Sequence, residues 1–70
     1  MRCQAQIIND YLAKDQALEA QEFMSDMSMS FDQQDRVFNA IQRLSKPSAR
    51  KISIILELSG DNQINEALLK

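Results

Sequence analysis

One glycine and one proline in seventy residues leave this chain few ways to turn sharply. Tight β-hairpins draw on Asn-Gly, Asp-Gly or similar pairs for backbone of positive φ, and no such pair occurs. Helices joined by short polar breaks are the remaining option, so an all-α chain is expected. At 44% hydrophobic and 26% charged residues the composition is that of a globular protein rather than a disordered one. Seventy residues suffice for one domain, 1–70, with a small core that dimerisation would enlarge.

The apolar spacing predicts four helices. The first runs from Gln4 to Met24, with Ile7, Ile8, Tyr11, Leu12 and Leu18 on one face and Phe23 near its edge. "SDMSMS", residues 25–30, breaks it, and Met24, Met27 and Met29 read as adaptable core filler, with a Met-lined groove as the alternative. Ser30 with Gln33 three residues on reads as a capping box for a second helix, with Asp32 and Asp35 at its positive end. Val37, Phe38, Ile41 and Leu44 form its stripe, and Pro47 ends it.

"KISIILEL" is ambiguous by itself. Ile52, Ile54, Leu56 and Leu58 alternate as in a strand, whereas Ile52, Ile55, Leu56 and Ser59 share a helical face. No partner strand is evident and a lone strand leaves its backbone groups unpaired, so a helix over Ala49–Ser59 is expected. Ser48 is its candidate cap and Gly60 its terminator. A last helix is expected over Asn62–Lys70, capped by Asp61, with Ile64, Ala67 and Leu68 inward.

Missing residue types remove whole classes of chemistry. Without histidine there is no Ser-His-Asp or Cys-His catalysis and no Cys/His zinc site, so neither an enzyme nor a metal or other cofactor is expected. Cys3 is the only cysteine, which points to a reducing, cytoplasmic setting rather than a disulfide framework. No apolar run approaches a membrane span.

"ISIILELSGDNQINEALL", preceded by "QQDRVFNAIQRLS", resembles the three-helix core of winged-helix and simple helix-turn-helix domains over residues 32–70. With the first helix added, the expected fold is a small four-helix bundle, and the resemblance implies that its last two helices form a helix-turn-helix that binds DNA. It makes residues 62–70 the recognition helix, with Asn62, Gln63 and Asn65, together with Glu66, facing base edges. Ser45, Lys46, Ser48, Arg50 and Lys51 would then lie near phosphates at the start of the preceding helix.

Charge leaves a second reading open. The chain is acidic overall, with a formal charge of −2, and the recognition segment holds no arginine, whereas phosphate neutralisation supplies most of a typical DNA affinity. A small module that docks on a protein partner suits these facts. Ile7, Ile8, Tyr11, Leu12, Leu18 and Phe23 of the first helix are then the candidate interface, for a partner or for a homodimer.

Overall fold

The computed structural model describes residues 2–61, which form four α-helices and one closing turn of 3-10 helix. The order is α1 (Gln4–Ala13), α2 (Ala17–Asp26), α3 (Phe31–Gln42), α4 (Ala49–Leu58) and the turn Ser59–Asp61. No strand occurs among the described residues. The expected all-α bundle forms, and 49–58 is helical. The helix expected over 62–70, with Asn62, Gln63 and Asn65, lies outside the described residues.

The four helices are divided differently from the sequence expectation. The helix expected over Gln4–Met24 is two helices, broken at Lys14–Gln16. Asp15 takes a left-handed conformation (φ 59°) directly after the cap Lys14. Its N–H donates to Leu12 O at 3.1 Å and that of Gln16 to Tyr11 O at 2.8 Å. This pair of bonds is a Schellman stop. Glycine usually fills its left-handed position, so an aspartate there leaves little trace in the sequence.

The same device ends α2. Ser28 (φ 66°) follows the cap Met27, with Ser28 N–H on Ser25 O at 3.0 Å and Met29 N–H on Met24 O at 3.2 Å. Met24 is fully buried and Met29 packs against the core, the apolar contact that accompanies such stops. The "SDMSMS" stretch thus reverses the chain through backbone bonds rather than through floppiness.

Ser30 caps α3, its Oγ accepting from Gln33 N–H at 3.1 Å. The Gln33 side chain takes a different bond from the one a capping box requires. Its Nε2 donates to Ser59 Oγ at 2.9 Å, across the fold. The helix ends at Gln42, well before Pro47, and Leu44 is buried from the connecting loop. Ser48 caps α4 as expected, accepting from Lys51 N–H at 3.3 Å.

Ile8, Met24, Val37, Ile52 and Ile55 are at most 1% exposed and centre one core with Ala5, Ala40, Ile41 and Leu44. The most extensive packing is α1 on α4, and α2 lies mainly on α1. Ile8, one of the six interface candidates, is therefore core. Leu12 and Phe23 pack against that core, and Ile7 and Tyr11 are half-buried. Of the six, only Leu18 stands clear, at 63% exposed.

Gly60 is no left-handed terminator, since no glycine has positive φ and α4 runs straight into the 3-10 turn. A Cβ there would meet nothing within 4 Å. Urea unfolding should therefore find Gly60→Ala neutral to about 1 kcal/mol more stable, through the unfolded chain. Ser28→Gly, by relieving a left-handed non-glycine residue, should add about 0.5–1 kcal/mol.

Candidate nucleic-acid interface

The loop after α3 and the first turn of α4 bring together Lys46, Ser48, Arg50 and Lys51. Lys46 and Arg50 are exposed, while Ser48 and Lys51 are half-buried. Ser48 Oγ already serves Lys51 N–H, so what it retains for a ligand is its hydroxyl proton. The helix starts here, and the positive end of its dipole adds to the lysine and arginine charges.

The charge around this corner is sorted along the chain. From Arg36 to Leu56 there are five bases (Arg36, Arg43, Lys46, Arg50 and Lys51) and no acid. From Asp15 to Asp35 there are six acids and no base. Helix α3 spans the change of sign, with Asp32 in its first turn and Arg43 at its C-cap. Its twelve residues put about 18 Å between its ends at 1.5 Å per residue. Asp32 lies near the far end of that length from Arg43, whereas Asp35 stands about a turn closer.

Arg36 has a structural task. Its Nε donates to Ser59 O at 2.9 Å, while Ser59 Oγ accepts from Gln33 and donates to Leu56 O at 2.8 Å. Ser59 is fully buried. Two residues of α3 therefore hold the point at which the chain leaves α4 towards residues 62–70. The sequence placed Ser59 on the inward face of α4, but partners 23 and 26 residues away carry no local signal. Gln34 is likewise buried at 2% exposed, its Nε2 donating to Ser25 Oγ at 3.1 Å and Met29 O at 3.0 Å, with Oε1 unpartnered among the described residues.

Elsewhere the surface is shaped by the Met-rich turn. A groove of about 470 Å³ lies between the start of α1, that turn and α4, with Met27, Met29 and Leu56 as apolar walls and Glu57 at its edge. Cys3 lines it as an exposed thiol. No helix among the described residues is long and apolar enough to cross a membrane. No group of three His, Cys, Asp or Glu that could hold a metal occurs among them.

At the far end of α1, Asp10 accepts from Gln6 Nε2 at 2.9 Å and pairs with Arg2. The Gln6 bond holds its carboxyl below the usual 3.8, opposed by desolvation and aided by the Arg2 bond and the Arg2 and Lys14 charges. A depressed folded value means stability that is present above the unfolded pKa and is lost as pH falls through the folded one. NMR titration should give Asp10 a midpoint below 3.8, and Gln6→Ala should raise it. Ser59→Ala, which strips Gln33 of its partner beside a buried site, should cost about 1–2 kcal/mol in chemical denaturation.

Comparison with protein-family models, with curated protein sequences and with solved structures found no match to this chain.

Proposed function

We propose that the chain is a small regulator that binds DNA, holding the phosphate backbone with the basic corner at the start of α4. The observation that carries this reading is the acid-free run from Arg36 to Leu56, which leaves Lys46 and Arg50 exposed at a helix N-terminus. Overall acidity weighs less against it than the net charge suggests, because no acid interrupts the stretch from Arg36 to Leu56 and Asp32 stands in the first turn of α3, away from its Arg43 end. Phosphate contacts position a protein on the duplex and carry no sequence information themselves. Base readout on this reading falls to Asn62, Gln63 and Asn65, beyond the joint that Gln33 and Arg36 hold at Ser59.

Fluorescence anisotropy with a randomised duplex should show binding that weakens steeply with salt. Arg50→Ala with Lys51→Ala should lower affinity and flatten the log–log salt slope by about 0.9 for each phosphate left unneutralised. An unchanged slope in the double variant would remove the corner from the interface.

A second reading, a module that docks on a protein partner, is favoured by the groove walled by Met27, Met29 and Leu56, since thioether side chains adapt to varied apolar surfaces. Absence of duplex binding even at low salt would give it precedence.

A further inference from the structure

Among the described residues, helix α2 carries an outer face without a packing partner. Leu18, Gln21, Glu22, Ser25 and Asp26 follow one another at helical spacing and line a shallow depression of about 410 Å³. Leu18 is 63% exposed at one end of it. Asp15, Glu19, Glu22 and Asp26 are all exposed, and none joins an ion pair among the described residues. Asp26 is also the last residue of α2, where a carboxylate meets the negative end of the helix dipole, and no base stands in that turn. An unneutralised acidic helix with an apolar side chain at its edge is complementary to a basic surface with little side-chain bulk at its centre. The corner at Lys46, Pro47, Arg50 and Lys51 is such a surface, with Pro47 exposed between the charges.

We propose that the outer face of α2 is a docking surface for the basic corner of a second copy of this chain. Glu19, Glu22 and Asp26 face the neighbour's Lys46, Arg50 and Lys51, and Leu18 anchors the contact. The two surfaces are different patches of one molecule, so the contact is head-to-tail and each copy offers one of each. Its strength is chiefly electrostatic, with the apolar anchor fixing register. The assignment does not rest on the DNA-binding reading, though it draws on the same corner.

Sedimentation equilibrium of the purified chain, with no nucleic acid present, tests it. At about 0.01 M salt, where the Debye length is roughly 30 Å, the weight-average mass should rise with concentration. At about 1 M, where it is roughly 3 Å, the chain should be monomeric. Glu19→Lys with Glu22→Lys, and separately Arg50→Glu with Lys51→Glu, should each weaken self-association at least about tenfold. An equimolar mixture of the two variants should recover it, because each then offers what the other lacks. Leu18→Ser changes no charge and should also weaken it, which unspecific attraction between opposite charges would not show. All these positions are at or near the surface, so each variant should keep the helical circular dichroism of the parent, which is checked first.

A monomer at every concentration in low salt overturns the proposal. So does association that survives both charge reversals or is indifferent to Leu18. A lower melting temperature in Leu18→Ser with monomeric mass throughout would overturn it too, and would give Leu18 a role within its own chain. Failure here leaves the DNA-binding reading untouched, since that one is decided by duplex titration alone.

Discussion

The packing of α1 against α4 is the contact on which the rest of this structure depends. Ile8 comes from one helix and Ile52 and Ile55 from the other, all essentially without solvent exposure and all in one cluster. Full burial of such a side chain contributes about 1.5–3 kcal/mol, and a chain this size has a net stability of only several kcal/mol. Ala5, also buried in that cluster, keeps α1 small on its inner side. Once the first and last described helices are joined in this way, α2 and α3 have to complete the bundle as a reversing pair. The two left-handed residues, Asp15 and Ser28, are the local strain that this closure imposes.

Polar groups then set what the apolar core leaves loose. Apolar contacts are non-directional and would tolerate some sliding of α4 along α3. The bonds from Gln33 and Arg36 to Ser59 are directional and lie in a buried place, where an unmade bond is costly. They fix the end of α4 relative to α3.

Sorting of charge connects the fold to both proposals. An acidic stretch and a basic stretch adjoin in the sequence at Asp35 and Arg36, inside one helix. Acids at the start of α3 and Arg43 at its end suit the helix dipole, so part of the pattern has a structural reason. Asp26 at the end of α2 has none of that kind, and the lysines and arginine around the start of α4 oppose its dipole. Those are the charges the fold does not use, and they are where recognition by a second molecule is most economically explained.

Composition and spacing alone determined that this protein is helical, that Ser30 and Ser48 start helices, and that Ile52, Ile55 and Ser59 face inward. These follow from local physics, since caps and periodicity act within four residues. The break at Asp15 escaped because its signal is a pair of backbone bonds with an aspartate in the place usually held by glycine. Ile8 read as interface and proved to be core, because an apolar stripe states that a face will be buried without saying by what. Only the tertiary structure decided that α1 covers α4, that Leu18 alone among the six candidates is left in water, and that Gln33 turns from its cap to a serine 26 residues away. Each of those outcomes depends on contacts between segments distant in sequence, for which a single chain carries no local record.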